Sequence, residues 1–246
     1  MAPAVSPSAG AWIMSPSTPD DNAAARLEAV RVRIAAAALA SDRPPGSITL
    51  VAASKAQDPA AIRALYGAGQ RHFGESYVQE ALRKREALAD LDIIWHFIGA
   101  IQSNKSRDIA AHFAWAHGVD RIKIAERLNA QRPIALPRLN VCIQVNVGAE
   151  PQKAGVEPAA LPALAAALQG LPRLRLRGLM TLPPPAHAAE EQRRHFRELA
   201  AAFRDLRSQG LDLDTLSMGM SDDLEAAIAE GATVVRVGTA LFDRRG

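Results

Sequence analysis

Thr49-Leu-Val-Ala-Ala-Ser54, Pro59-Ala-Ala-Ile-Arg-Ala-Leu-Tyr-Gly-Ala68 and Arg71-His-Phe-Gly-Glu75 follow one another in a single stretch of the chain. The first and third are short apolar runs of strand length. The second carries Ile62 and Leu65 at helical spacing, and Gly69 follows it as a stop signal. A strand, an amphipathic helix and a second strand, joined by short polar links, form a β–α–β unit, whose right-handed crossover makes the two strands parallel neighbours.

Outward from this unit the pattern repeats. Strand candidates are Thr49 to Ser54, Arg71 to Glu75, Ile93 to Ile98, Trp115 to Val119, Asn140 to Val147, Arg175 to Thr181, Thr215 to Met218 and Val234 to Val237. Helical patterns alternate with them: Pro59 to Ala68, Tyr77 to Leu88, Lys105 to His112, Arg121 to Gln131, Pro158 to Gln169, Glu190 to Ser208 and Asp222 to Glu230. Gly69, Gly170, Gly210 and Gly231 stand where C-terminal caps are needed. Eight such units in about 200 residues match an α/β fold, a single TIM-like (β/α)8 barrel. An open doubly wound sheet is the rival, disfavoured because no Gly-x-Gly-x-x-Gly follows the first strand. Before the first strand, Ala23 to Leu39 repeats Leu27, Val30, Ile34 and Ala38 at helical spacing behind Asn22 as N-cap, an extra N-terminal helix. Residues 1–22, rich in Pro, Ser and Ala and without Lys or Arg, read as a flexible tail, and residues 23–246 as the barrel domain.

Composition narrows the function. Of 246 residues 48% are apolar, which excludes a wholly disordered chain, and no apolar run approaches the roughly 18 residues of a membrane span. A lone Cys142 excludes an internal disulfide framework and a Cys-based zinc site and fits a reducing, cytoplasmic location. The net charge of +3 and the absence of Arg clusters interleaved with aromatics argue against nucleic-acid binding. No metal site is read.

Five lysines stand against twenty-four arginines, so each lysine can be located individually. Lys55 directly follows the first strand, at the C-terminal end where barrel enzymes carry their chemistry. An amine held there among apolar neighbours is expected to lose its charge readily and to attack an aldehyde, whereas the plain alternative is a snorkelling surface lysine. Lys84 and Lys123 fall in helices, Lys105 at a helix start and Lys153 in a polar loop. The ends of strands seven and eight, Ser217-Met218-Gly219-Met220-Ser221 and Gly238-Thr239, offer small residues and hydroxyls in the usual barrel phosphate position; alternatively Ser221 only caps the next helix and Gly238 is only a turn. Arg236 alternates onto the same side as Gly238. Buried, it needs an acceptor, either a structural carboxylate or a ligand ring atom. A strand-end lysine, a phosphate cradle and an inward arginine together suit a phosphorylated, aldehyde-bearing cofactor.

Six motifs in order then identify a resemblance: Val51-Ala-Ala-Ser-Lys55, Gly69-Gln-Arg-His-Phe-Gly-Glu-Ser-Tyr-Val-Gln-Glu80, Trp95-His-Phe-Ile-Gly-Ala-Ile-Gln-Ser-Asn-Lys105, Arg173-Leu-Arg-Leu-Arg-Gly-Leu-Met180, Leu216-Ser-Met-Gly-Met-Ser-Asp-Asp223 and Val235-Arg-Val-Gly-Thr239. Over about residues 23 to 243 the sequence resembles the YggS/PROSC family of pyridoxal 5′-phosphate homeostasis proteins, related in fold to the N-terminal barrel of alanine racemase. The resemblance implies that Lys55 holds pyridoxal 5′-phosphate (PLP) as a Schiff base, that Arg236 meets the pyridine nitrogen, and that Ser217, Met218, Gly219, Ser221, Gly238 and Thr239 surround the phosphate. Ser76 stands where the family usually has Asn, so the contact made there changes.

A guanidinium can only donate, so it keeps the ring nitrogen unprotonated and makes the ring a weaker electron sink. A racemase also needs a second base, and the two tyrosines, Tyr66 and Tyr77, lie in helical segments. The chain also ends just after strand eight. The expectation is a PLP carrier acting in vitamin B6 supply, with no catalytic residue assigned, a monomer whose possible partners are PLP-dependent apo-enzymes. A PLP-dependent racemase is the enzyme alternative, and a phosphosugar aldolase or isomerase the distant third. His96 reads as a core histidine, Gln144 to Asn146 as mouth-lining or loop-holding, and Glu190 to Arg207 as a solvated helix face.

Overall fold

The computed structural model describes residues 19–148, 154–183 and 189–242. Along the chain run α1 (Pro19–Leu39), β1 (Thr49–Ala53), α2 (Pro59–Gly67), β2 (His72–Glu75), α3 (Val78–Ala87), β3 (Ile94–Phe97), α4 (Ser106–His112), β4 (Trp115–Val119) and α5 (Ile122–Gln131). Then come β5 (Leu139–Gln144), α6 (Leu161–Gln169), β6 (Leu174–Met180), α7 (Ala189–Ser208), β7 (Thr215–Ser217), α8 (Leu224–Ala229) and β8 (Val234–Val237). All eight strands lie where the apolar runs stand, and they close into a parallel barrel in sequence order, β8 returning to β1. The open-sheet rival is therefore excluded.

The main difference lies at the N-terminus. α1 begins at Pro19, so Asn22 is inside the helix and not its cap. Proline is favoured as the first helical residue because the N–H it lacks would have no intrahelical partner. Residues 1–18 of the expected tail lie outside the described residues, as does Lys153. The inner face of α1 (Ala23, Leu27, Val30, Ile34 and Ala38) is buried against the barrel helices. Asp58 caps α2 by accepting from the Ala61 N–H, with Pro59 as the first helical residue. Gly69, Gly210 and Gly231 take left-handed conformations after their helices, whereas Gly170 closes α6 at φ −75°.

Two irregularities set the interior. The β4–β5 register shifts between Ala116 and Val119, and the β5–β6 register shifts between Val141 and Cys142, where Cys142 comes to face Gly178. Gly178 is obligatory there: a Cβ would fall 1.8 Å from the Thr215 carbonyl oxygen, so β6 and β7 could not approach. Cys142 is fully buried, and burial pushes its thiol up to about 12. The apolar core forms mainly between the barrel wall and the helices, from Phe73, Phe97, Ile109, Phe113, Leu128 and Phe196 among others.

Candidate functional site

β1 delivers Lys55 to the C-terminal rim, in the turn after the strand, with the next residue Ala56 at φ +60°. A left-handed non-glycine residue costs on the order of 1 kcal/mol and persists only where neighbours hold it. Here Glu80 of α3 accepts the Ala56 N–H at 2.6 Å, and Lys84, one helical turn on, donates to the Ser54 carbonyl at 2.6 Å. The peptide groups on both sides of Lys55 are thus clamped by a Glu80–Lys84 pair 2.5 Å apart. Lys84 also donates to Glu75 at 2.8 Å, and the Ser54 hydroxyl donates to the same Glu75 oxygen at 2.6 Å. Glu75 is fully buried and its second oxygen has no hydrogen-bond partner. Burial raises its carboxyl above the usual range, against the pull of Lys84 and Ser54.

Lys55 itself is exposed, so the apolar enclosure expected around the amine is absent. The more deeply buried lysine is Lys84, expected in a helix and only 4% exposed there. The signal was available: Val78, Ala81 and Lys84 recur every three residues, and all three are on the buried face of α3.

β8 neighbours β1 with Val51 opposite Arg236. Beyond the strands, a Cβ on Gly238 would lie 3.3 Å from the Ala53 carbonyl, so the 238–239 loop closes directly on the strand end that carries Lys55. Arg236 is buried and donates to the Ser217 hydroxyl at 2.6 Å and to the Thr181 carbonyl at 2.8 Å. Both partners are uncharged. Among the described residues Arg236 forms no ion pair, and burial lowers its pKa to about 10, leaving it a cation at neutral pH. No carboxylate among the described residues is hydrogen-bonded to it; the Asp223 carboxylate acts on it only through space.

At the end of β7 the predicted cradle divides. Ser217 points inward, buried, with its hydroxyl occupied by Arg236 and by His117 at 2.8 Å. Met218 packs into the outer core and its N–H donates to the Val234 carbonyl, so it does not face the rim. Gly219 makes the turn at φ +95°, where a Cβ would meet Ala227 at 2.7 Å, and its carbonyl accepts from the Arg236 N–H. The N-cap of α8 is Asp223, not Ser221, and the Asp223 carboxylate accepts the Met220 N–H at 2.5 Å. The Gly238 carbonyl is likewise held by the N–H groups of Leu241 and Phe242. Gly219, Ser221, Gly238 and Thr239 remain at the rim, in the segments that follow the neighbouring strands β7 and β8.

Ser76, just past β2, lines a cavity of about 360 Å³ together with Tyr77, Phe97, Gly99, Gln102 and Lys105. Gln144 and Asn146 bond the 154–157 segment, through the Ala154 carbonyl and the Glu157 carboxylate, and so hold a loop. His96 is a core histidine, held by His72 at 2.9 Å and His117 at 3.0 Å. His117 was not singled out from sequence. Inward alternation of two histidines on neighbouring strands β3 and β4 was the signal that could have found it. Arg193 and Arg197 of α7 pair with Glu230, on an exposed helix face.

No helix among the described residues is long and apolar enough to cross a membrane. Residues 26–245 match the family described as alanine racemase, N-terminal domain. The chain is 56% identical over 222 residues to the pyridoxal phosphate homeostasis protein of Pseudomonas aeruginosa, covering 90% of this chain and 95% of that one. Against the Escherichia coli K12 protein of the same name it is 51% identical over 222 residues, covering 89% and 95%. PipY of Synechococcus elongatus, solved with PLP bound, superposes with a TM-score of 0.80 at 42% identity, covering 89% of this chain and 99% of PipY. The alanine racemase of Corynebacterium glutamicum, at 19% identity, TM-score 0.67 and coverage of 91% and 60%, shares the barrel fold. With a closed barrel, a lysine and an arginine on adjoining strand ends, and relatives of this similarity over nearly their whole length, the chain belongs to the pyridoxal phosphate homeostasis protein family.

Proposed function

We propose that this chain binds PLP at the C-terminal rim of its barrel and serves cellular PLP supply as a carrier. Lys55 is the covalent anchor, Arg236 addresses the pyridine nitrogen, and Gly219, Ser221, Gly238 and Thr239 surround the phosphate. Ser217 acts through Arg236, Met218 through the backbone turn, and Ser76 borders the ring side. PLP, when bound, supplies an aldehyde, an acceptor ring nitrogen and a phosphate dianion, and the donor set at this rim fits all three. The observation that carries the reading is Arg236, a buried guanidinium whose hydrogen-bond partners are a hydroxyl and a carbonyl, beside the strand end bearing Lys55. A buried cation with no directly paired counterion is costly, and a ligand acceptor would offset part of that cost.

A carrier fits better than a racemase because the donor-only Arg236 weakens the ring as an electron sink. Tyr66 lies under the Arg71 guanidinium, 3.9 Å from its ring centre, whereas Tyr77, expected inside a helix, instead precedes α3 at the rim, 65% exposed and beside Ser76. Transfer to PLP-dependent apo-enzymes, a monomeric state and a cytoplasmic location belong to the same reading, the last supported by the lone thiol. The test is reconstitution with PLP, borohydride reduction and peptide mapping. The expected product is a pyridoxyl group on Lys55, and a label confined to any other lysine overturns the assignment.

A further inference from the structure

Barrel interiors are ordinarily filled by branched apolar side chains. This one is crossed by a line of polar groups from five strands. The His72 Nδ1 lies 2.9 Å from His96 Nε2, His96 Nδ1 lies 3.0 Å from His117 Nε2, and His117 Nδ1 lies 2.8 Å from the Ser217 hydroxyl, which also receives the Arg236 guanidinium at 2.6 Å. His72 is half-buried at the N-terminal start of β2, while His96, His117, Ser217 and Arg236 are buried. The line therefore runs from near the lower opening of the barrel to the cation proposed beneath the cofactor ring. Trp115 stacks on His96 at 13° and 5.4 Å, which fixes the plane of the central imidazole.

The direction of every hydrogen bond in this line follows from its upper end. Arg236 can only donate, so it fills one lone pair of the Ser217 oxygen. Among the described residues that hydroxyl has two partners, and if His117 also donated to it the serine proton would be left without an acceptor. Ser217 must instead donate to His117 Nδ1. A neutral imidazole that accepts at Nδ1 carries its proton on Nε2, so His117 donates to His96 and His96 in turn donates to His72. A charged imidazole anywhere would put two donors face to face and set a second cation near Arg236. Burial indeed holds His117 down to about 3 and His96 well below its ordinary value.

We propose that His117, backed by His96 and His72, is a positioning relay: a one-directional line of neutral imidazoles that orients Ser217 and through it holds Arg236 aimed at the ring nitrogen. The part concerning the ring nitrogen rests on the PLP reading, whereas the order of the relay does not. The two are tested separately. Nitrogen-15 NMR of histidine-labelled protein without PLP at pH 7 is expected to show His72, His96 and His117 neutral with the proton on Nε2. A proton on Nδ1 of His96 or His117, or a charged ring at either position, overturns the relay whatever the protein binds. In PLP titrations, His117→Phe, which keeps ring volume but removes the acceptor, is expected to weaken binding about tenfold, the loss of one hydrogen bond of about 1.4 kcal/mol, and to shift the absorption of the bound cofactor. His117→Gln, whose amide oxygen can accept from Ser217, is expected to restore most of both. Unchanged affinity and spectrum in His117→Phe overturn the positioning role. Should the parent protein bind no PLP, the PLP reading fails and the NMR result still decides the relay; should His117→Phe fail to fold, the parent spectrum and His117→Gln decide it.

Discussion

Behind Lys55 a buried ammonium meets carboxyl groups; behind Arg236 stand neutral rings and a hydroxyl. Alternation along β2 explains the separation. Glu75 faces outward to α3, where Lys84 and Glu80 meet it, whereas His72 faces inward to His96. On the outer side a helix can bring a counterion, so the Lys84 ammonium bridges the Glu75 and Glu80 carboxyls, and the resulting rigidity holds the backbone around an exposed amine. Inside the barrel Arg236 is already a cation, the groups bonded to it are neutral acceptors, and a second cation among them would be repelled. The same barrel wall thus supports a covalent anchor by charge pairing and a ring contact by dipole order.

Acid separates the two networks most strongly. The neutral form of His117 is favoured in the folded chain, its pKa falling from 6.5 to about 3, so its contribution to stability is complete above 6.5 and lost as pH falls toward 3. That contribution is on the order of 5 kcal/mol, with His96 acting in the same direction. Glu75 has the opposite sign, since a raised carboxyl pKa favours folding at lower pH. Urea midpoints measured from pH 7 to pH 3 are expected to fall less steeply in His117→Phe than in the parent, and parallel curves refute the assignment. Lys84→Met attacks the other network and leaves Glu75 buried without its cation, a loss of about 3 to 5 kcal/mol. Adding Glu75→Gln should recover part of it; a loss below about 1 kcal/mol would mean that water reaches the cluster.

Two substitutions at the ligand-facing ends sharpen the contrast. Arg236→Gln removes the cation from the neutral network and is expected to weaken PLP binding by about 1.5 to 3 kcal/mol. Equal affinity in a direct titration would assign Arg236 a purely structural role. Lys55→Ala should change stability by no more than about 0.5 kcal/mol, because the amine is exposed and the clamp holds backbone atoms, while covalent attachment of PLP is lost. A large shift of the urea midpoint in that variant would show that the side chain holds the fold.

The barrel was legible from the first β–α–β unit because parallel strands covered on one side by helices leave short apolar runs separated by long amphipathic ones. Lys55 and Arg236 were legible because strand ends are easy to place. Less visible were groups whose role depends on a partner distant in sequence. Ser217 reads as a phosphate ligand until Arg236 and His117 are brought to its hydroxyl, 19 and 100 residues away. Lys84 reads only as a helical lysine until Glu75 is folded behind it. Register shifts in β4–β5 and β5–β6 leave no local signature either, since they arise from closing eight tilted strands into one cylinder.

Cys142 sits in the middle of β5 against Gly178, sealed from solvent and with a thiol that ionises only at about 12. Thiolate is the reactive species, so a thiol reagent can modify the native chain only through a transient opening of the barrel. As the single cysteine in 246 residues, it is a built-in clock: its labelling rate, divided by that of the unfolded chain, gives the fraction of time the barrel spends breached. Slower labelling with PLP added would then measure how strongly a ligand on the rim restrains the wall three strands from Arg236.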